Sequence, residues 1–257
     1  MKMIPDGAIL AARHSFMPNR LGYCGPDENE VLLDACLKNR RSKQLIKTLE
    51  GFQGAQPYLR FIAQSHGLDV FDYRVVEAYW LGNDLLQRIP RNGFYDHLRE
   101  RLAHKFPREH IKKLFESNPF ATFPHHALHV FNAFSSMGAV PNAFANGVGP
   151  EAKVWELMDK CRISWGKILH QDDTENLTVE YEPIQRQEGQ LMLGKAVETK
   201  VRYRIDGHSF ITNAIPGDMI SFHWGLACAK LTPQQVANLK KYTLLDMEVA
   251  NSIPVPQ

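Results

Sequence analysis

The sequence predicts an α+β fold, in which an all-α N-terminal domain precedes a small β-barrel and a C-terminal helix. The first observation is a helical period of apolar residues between about Asp27 and Met137. The second is the region after Cys161, where apolar and polar residues alternate with a period of two. The third is an amphipathic stretch at the C-terminus. We therefore divide the chain into a helical domain, a linker, and a barrel with its C-terminal helix, over residues 1–145, 146–160 and 161–257.

Apolar stripes and end signals predict the helices of the first part. The segment NEVLLDACLKN has Val31, Leu32 and Ala35 on one side. PYLRFIAQSHG starts with proline and ends with glycine, the expected asymmetry for a short helix. YRVVEAYWLGNDLLQRI continues the helical pattern and stops at Pro90. HHALHVFNAFSSMG closes the series, and the Gly-, Pro- and Asn-rich stretch after it begins the linker.

Short strands are predicted in the second part. ISWGKIL, NLTVEYEPI, QLMLGKAVETKVRYRI and DMISFHW are rich in β-favouring residues and are separated by turn residues. Such spacing is typical of a small barrel or a sandwich. In the final helix, Thr232 is a candidate N-cap and Pro233 suits the first turn. The apolar face of this helix is predicted to contain Val236, Leu239, Leu244 and Met247.

Composition and missing motifs exclude several function classes. The formal net charge of +2 gives no basis for nucleic-acid binding. No apolar stretch is long enough for a membrane span, and four widely spaced cysteines predict reduced thiols, so we expect a cytoplasmic protein that contacts no membrane. Walker-type, dinucleotide-binding and serine-hydrolase motifs are absent from the sequence, as is Cys-x-x-Cys.

Three segments of the second part resemble a known family when they are taken in order. They are CRISWGKIL from Cys161, PGDMISFHWGLACAKL with His223 on its strand, and the helix from Thr232. This order resembles the HypC/HupF family of nickel–iron hydrogenase maturation chaperones, over roughly the C-terminal third of the chain. The resemblance implies an OB-like β-barrel followed by a helix. Two departures are that Cys161 follows a helical segment instead of starting the chain, and that Trp165 replaces a proline.

The resemblance also implies a chemical role for two residues. In that family the cysteine, with a nearby histidine, helps to bind an iron atom that carries carbon monoxide and cyanide. Cys161 is therefore a candidate iron ligand, and His223 is a candidate ligand or thiol-tuning base. The implied partners are a hydrogenase large-subunit precursor and a HypD-like scaffold protein that carries the iron fragment. The whole chain also resembles an uncharacterised bacterial family through SFMPNRLGYCGP, VVEAYWLGN and HVF.

A histidine cluster in PHHALHVF is the second candidate site. His129 is three residues from His126 and four from His125, so either pair can share one face of a helix. Imidazole pairs at this spacing suit iron, zinc, copper or haem, which makes these residues candidates for cofactor binding. Glu77, in VVEAYW, is a candidate carboxylate from another helix. The alternative is that these histidines are caps, surface residues or hydrogen-bonded core residues.

Cys24 is the candidate reactive thiol of the N-terminal half. It lies in RLGYCGPDE, a tight loop just before a predicted helix, where a helix N-terminus can lower a thiol pKa. Ordinary turn chemistry explains the same loop. Three functions follow from these features. They are an accessory protein of hydrogenase assembly, a metal- or haem-dependent enzyme whose barrel recognises a partner, and a metal-free interaction adaptor.

Overall fold

The computed structural model describes residues 6–101, 112, 122–136, 151–188 and 190–252. Within these residues, helices come first, strands follow, and a long helix ends the chain, so the predicted order of an α+β fold is confirmed. Among the described helices, none is long and apolar enough to cross a membrane. The boundary predicted at residue 145 lies outside the described residues.

The helices are numbered in chain order. They are α1 (Gly7–Arg20), α2 (Asn29–Lys38), α3 (Lys43–Glu50), α4 (Gln56–His66), α5 (Tyr73–Trp80), α6 (Arg91–Arg101), α7 (His126–Ser136), α8 (Glu151–Cys161) and α9 (Pro233–Ser252), with a 3₁₀ turn at Leu86–Arg88. The predicted linker, residues 146–160, therefore contains all of α8 except its last residue, Cys161.

The strands follow α8. They are β1 (Ser164–Gln171), β2 (Asn176–Tyr181), β3 (Ile184–Gln187), β4 (Gln190–Leu193), β5 (Val197–Arg202), β6 (Arg204–Ile205), β7 (His208–Ser209), β8 (Met219–His223) and β9 (Leu226–Lys230).

Helix α1 is an element that the periodicity of the sequence does not predict. Most of its residues are buried, including the polar His14, Ser15 and Asn19, so its sequence has no clear amphipathic stripe. Asp6 caps its N-terminus by accepting a hydrogen bond from the Ala8 amide at 2.8 Å. The helix packs against α2, α3 and α5 on one side and against β8 and β9 on the other. It is the central helix of the molecule.

Helix α5 ends earlier than the sequence pattern predicts. The pattern runs on to Pro90, but the helix stops at Trp80 because Gly82 adopts a left-handed φ of 80°. The Gly82 amide then donates to the Glu77 carbonyl at 2.9 Å, which closes the last turn. A Cβ atom at residue 82 would lie 2.3 Å from Cδ2 of Tyr242, so close packing with α9 also requires glycine here.

Five of the strands form a closed barrel. Their order is β1-β2-β5-β9-β8, and β1 pairs with both β2 and β8. The alternation of the sequence matches the barrel, because Leu177 and Val179 of β2 point into the same interior as Ile220 and Phe222 of β8. The β3–β4 and β6–β7 hairpins lie outside this sheet.

The helical part and the barrel share one hydrophobic core. Ala8 and Phe16 of α1 belong to the same buried cluster as Trp165 of β1 and Leu226 of β9. Polar contacts cross the same interface, since His14 Nε2 lies 3.1 Å from the Ser221 hydroxyl of β8. The two parts are therefore packed against each other through a continuous interior.

Helix α9 closes the structure. Thr232 and Gln235 form a capping box, in which the Gln235 amide donates to Thr232 Oγ1 at 3.2 Å and the Thr232 amide donates to Gln235 Oε1 at 2.9 Å. The predicted N-cap is therefore confirmed. Leu239 and Met247 are buried, but Leu244 is 43% exposed, so the predicted apolar face is wrong at that residue.

A buried ion pair fixes the junction between α8 and β1. Arg162 is 1% exposed in its side chain, and its Nε donates to Asp159 Oδ1 at 2.8 Å. Asp159 also accepts hydrogen bonds from the Tyr181 hydroxyl at 3.0 Å and the Ile184 amide at 2.9 Å. These bonds hold the end of α8, and with it Cys161, against the barrel.

We predict that Asp159→Ala lowers the free energy of unfolding by about 3–5 kcal/mol, because it leaves the Arg162 charge buried without its partner. The matched control is Asp34→Ala, which removes an exposed pair with Lys38 on α2. That change is expected to cost only about 0.3–0.5 kcal/mol. Urea unfolding monitored by circular dichroism measures both, and equal losses in the two variants would contradict the assigned role of Asp159.

We also predict that acid weakens the fold through His14. Burial lowers the pKa of His14 to about 3, from an ordinary value of 6.5. The unfolded chain therefore takes up a proton below pH 6.5 that the folded protein excludes, so stability is complete above pH 6.5 and falls as the pH drops. The free energy of unfolding falls by about 1.4 kcal/mol per pH unit for each such histidine.

Urea unfolding of the metal-free protein between pH 7.5 and 5.5 measures this dependence. His14→Gln should reduce the slope of the free energy of unfolding against pH by the contribution of one proton. The control His208→Gln, at an exposed histidine, should leave this slope unchanged. A slope that is the same in His14→Gln as in the wild type would show that His14 is not the source.

Candidate metal centre

Three potential metal ligands from separate elements meet at one end of the barrel. His126 begins α7, Cys161 ends α8 and His223 ends β8. One ligand atom of each residue lies within 4.8 Å of the others. Two imidazole nitrogens and a thiolate form a mixed nitrogen and sulphur donor set, which suits iron, cobalt, zinc or copper.

Strand register explains why Cys161 and His223 meet. Strands β1 and β8 are antiparallel, with Ser164 opposite Phe222. The chain therefore enters β1 at the same end of the barrel at which β8 finishes. His223 comes one residue after Phe222, and Cys161 comes three residues before Ser164 at the end of α8, so the strand pairing brings them together although they are distant in sequence.

His223 carries an imidazole nitrogen that is prepared to bind a metal. Its Nδ1 donates a hydrogen bond to the His14 carbonyl at 2.6 Å, so the proton is on Nδ1 and Nε2 has a free lone pair. This Nε2 is buried and has no hydrogen-bond partner among the described residues. Burial also lowers the pKa of His223 to about 4, which keeps the ring neutral, as metal ligation requires.

His126 joins the helical part to the same centre. Its Nε2 donates to the Cys161 carbonyl at 2.8 Å, and its Nδ1 accepts a hydrogen bond from the Tyr79 hydroxyl at 3.2 Å. Burial holds the pKa of this imidazole well below its ordinary value. To bind a metal through Nε2, the ring would give up its bond to the carbonyl and carry its proton on Nδ1 instead, and Nδ1 would then donate to the Tyr79 hydroxyl oxygen, which would orient the ring.

Cys161 is the thiol of the centre. Burial raises its pKa to about 12, and the nearby Cys24 thiol adds to this rise, whereas the polar N–H of the nearby Trp224 side chain opposes it. The free thiol is thus protonated at neutral pH. A bound cation stabilises the thiolate and displaces the proton, so metal binding at this residue is expected to release a proton.

Aromatic rings surround the three ligands. The centroid of the Trp80 ring lies 4.5 Å from that of His126 and 5.9 Å from that of His223. The two ligand imidazoles are themselves 5.3 Å apart. Trp80 is buried, and its Nε1 lacks a hydrogen-bond partner within the described part of the chain. These rings exclude water from the inner side of the centre and lower its polarity.

The outer side of the centre is covered by the turn between β8 and β9. Trp224 and Gly225 are its two central residues, and both have a positive φ, of 51° and 72°. This is the pattern of a type I′ turn, in which asparagine is the favoured first residue. A tryptophan in this left-handed conformation costs about 1–2 kcal/mol. The Trp224 ring stacks on Tyr23, with centroids 4.2 Å apart.

The sequence predicted two sites, whereas the structure brings together members of both. Cys161 and His223, predicted as metal ligands, are joined by His126, which was predicted to bind a cofactor in the helical domain. His129 is outside the set, with its ring 6.3 Å from that of His126 and edge-on to Tyr58.

The remaining candidates lie elsewhere. His125 Nδ1 is 3.0 Å from Asp246 Oδ2 in a buried pair, where burial lowers the pKa of His125 to about 3 and raises that of Asp246 well above its ordinary value. Glu77 accepts hydrogen bonds from Gln235 at 2.7 Å and Tyr73 at 3.2 Å, in a surface groove between α5 and α9. The candidates His125 and Glu77 thus each interact with structural partners.

Cys24 lies in the loop between α1 and α2. The residue is exposed, but the protein around its sulphur raises the thiol pKa to about 11, so the predicted lowering by a helix N-terminus is not observed. Asn19 holds this loop by donating to the carbonyls of Cys24 and Pro26, at 2.9 and 2.6 Å.

Three important residues around the centre were missed by sequence reasoning. They are His14, Trp80 and Trp224. His14 was hidden in an unpredicted helix, and Trp80 lies in the helical pattern of YRVVEAYW, where an aromatic residue does not by itself indicate a site. A usable signal existed for Trp224, because the segment FHWGLA places a bulky residue before glycine at a hairpin turn, where asparagine is expected.

Comparisons with known proteins give a family without an activity. Neither the curated proteins nor the solved structures contain a significant match to this chain. Nothing in these comparisons links the chain to HypC/HupF. A match to one family of unknown function extends over residues 3–256. The chain therefore belongs to the DUF6390 family.

Proposed function

We propose that this protein binds a transition-metal ion, with iron as the physiological ion, and acts in the cytoplasm as an accessory protein of nickel–iron hydrogenase assembly. The observation that carries the metal-binding part is the convergence of His126, Cys161 and His223 within 4.8 Å. The buried, unpartnered lone pair of His223 supports it independently. A neutral imidazole nitrogen in this position gains a partner when a metal binds.

The hydrogenase part of the proposal depends on the resemblance to the HypC/HupF chaperones. Two features agree with it. The candidate iron ligand Cys161 is next to His223, as the resemblance implies, and the five barrel strands with a helix after them agree with an OB-like barrel. His126 is an additional candidate ligand, and it is contributed by the helical part of the protein. The proposed partners are a hydrogenase large-subunit precursor and a HypD-like scaffold protein.

Three protein ligands leave at least one coordination position for an exogenous ligand. In a carrier of an iron fragment, this position is taken by the small ligands of the cargo. The protein supplies a thiolate, two neutral imidazoles and a water-poor aromatic wall. These groups bind and orient the metal and exclude competing water from its inner side.

A second candidate function is a metal-dependent enzyme whose barrel recognises a partner protein. The observation that favours it is the same open position, because three protein ligands with one free place are typical of catalytic zinc and iron sites. Haem is an alternative cofactor for this function. An absorption spectrum of the purified protein distinguishes haem from a mononuclear metal ion.

We predict that the metal-free protein binds one Co²⁺ ion per chain under anaerobic conditions, with a sulphur-to-cobalt charge-transfer band. His126→Ala, Cys161→Ala and His223→Ala should each weaken binding by at least about 100-fold, and Cys161→Ala should also abolish the charge-transfer band. The matched controls are His129→Ala and Cys228→Ala, which remove a neighbouring histidine and another buried thiol. If the controls lose as much affinity as the three ligand variants, the assignment is wrong.

A second experiment tests the hydrogenase role. We expect protein purified from cells with an active hydrogenase pathway to have infrared bands of carbon monoxide and cyanide bound to iron. Cys161→Ala should remove these bands and lower the hydrogenase activity of the cells, while Cys36→Ala should change neither. Iron binding without such bands, together with normal hydrogenase activity in the Cys161→Ala strain, would favour the metal-dependent enzyme instead.

A further inference from the structure

The turn between β8 and β9 has a composition that its backbone does not favour. The register pairs His223 with Leu226, so Trp224 and Gly225 alone form the loop. Two positive φ values make asparagine followed by glycine the favoured sequence at such a turn. A bulky aromatic residue in the first position is unusual, and its side chain is therefore the feature that needs an explanation.

Two contacts of Trp224 fix its position near the end of α8, where Cys161 lies. Its backbone amide donates to the carbonyl of Lys160 at 2.9 Å, directly before the ligand. Its indole ring is fixed from outside by the stacked Tyr23 ring. The turn therefore holds Trp224 beside the end of α8, where its side chain is near enough to Cys161 to act on the thiol.

The indole N–H of Trp224 is a buried hydrogen-bond donor. Nε1 is buried, and no acceptor among the described residues meets hydrogen-bond geometry. A neutral thiol is a weak acceptor, but a thiolate is a strong one. The donor is thus satisfied only when Cys161 is a thiolate, which is its form when a metal is bound.

We propose that Trp224 is a positioning residue of the metal centre, whose indole N–H donates a hydrogen bond to the metal-bound Cys161 sulphur. This inference rests on the proposed metal site. Such a bond withdraws charge from the sulphur, orients the thiolate, and shifts the sulphur-to-metal charge-transfer band to higher energy. It also explains why the turn contains tryptophan instead of asparagine.

The test is Co²⁺ binding by Trp224→Phe and Trp224→Asn. Trp224→Phe keeps an aromatic ring for Tyr23 but removes the N–H, so the charge-transfer band should move to lower energy and affinity should fall roughly 10-fold or more. Trp224→Asn creates the favoured turn sequence, so the hairpin should remain folded while affinity falls by a similar factor or more. The matched control, Trp155→Phe on α8, removes an indole outside the three-ligand set and should leave both quantities unchanged.

Stability and spectrum separate the possible outcomes. A shifted band in Trp224→Phe, with the unfolding midpoint of the metal-free protein unchanged, supports the hydrogen bond, because a purely structural role does not move the band. If Trp224→Phe has the same charge-transfer band and the same Co²⁺ affinity as the wild type, the proposed hydrogen bond is overturned. The proposed metal site is then still supported by Co²⁺ binding to the wild type. Failure of the wild type to bind Co²⁺ overturns the proposed metal site itself.

Discussion

The packing of the buried helix α1 against the barrel is the constraint on which the rest of the structure depends. Most residues of this helix are buried, so it is stable only when the other helices and strands β8 and β9 cover it. The same helix offers the His14 carbonyl to His223 at 2.6 Å and so determines which nitrogen of that ligand is free. The packing that buries α1 therefore also fixes the orientation of the His223 ring in the candidate site.

Sequence patterns predicted the order of elements and much of the ligand set, but not how the parts meet. Helix α1 was missed because a fully buried helix has no polar face to reveal its period. Helix α5 was predicted too long because the left-handed Gly82 was not recognised as a stop. The N-cap at Thr232 was predicted correctly, since capping depends on contacts within a few residues of the chain.

The candidate site shows the same limit at the level of single residues. His126 is the first residue of α7 and His125 immediately precedes it, and their side chains contact different partners, Cys161 and Asp246 respectively. The sequence does not determine which of the two contacts Cys161, because the choice depends on the position of Asp246 in α9 and of Cys161 in α8. By contrast, the proximity of Cys161 to His223 follows from local strand register and was accessible through the resemblance.

The position of Cys161 at the last residue of α8 affects its chemical reactivity. The carboxyl end of a helix carries a partial negative charge, which disfavours a second negative charge on the thiol. Together with burial, this keeps the sulphur protonated, and a protonated thiol is a poor nucleophile toward alkylating agents and peroxides. The protonated thiol is therefore chemically protected, and in the proposed metal-bound form it would become an electron-rich sulphur.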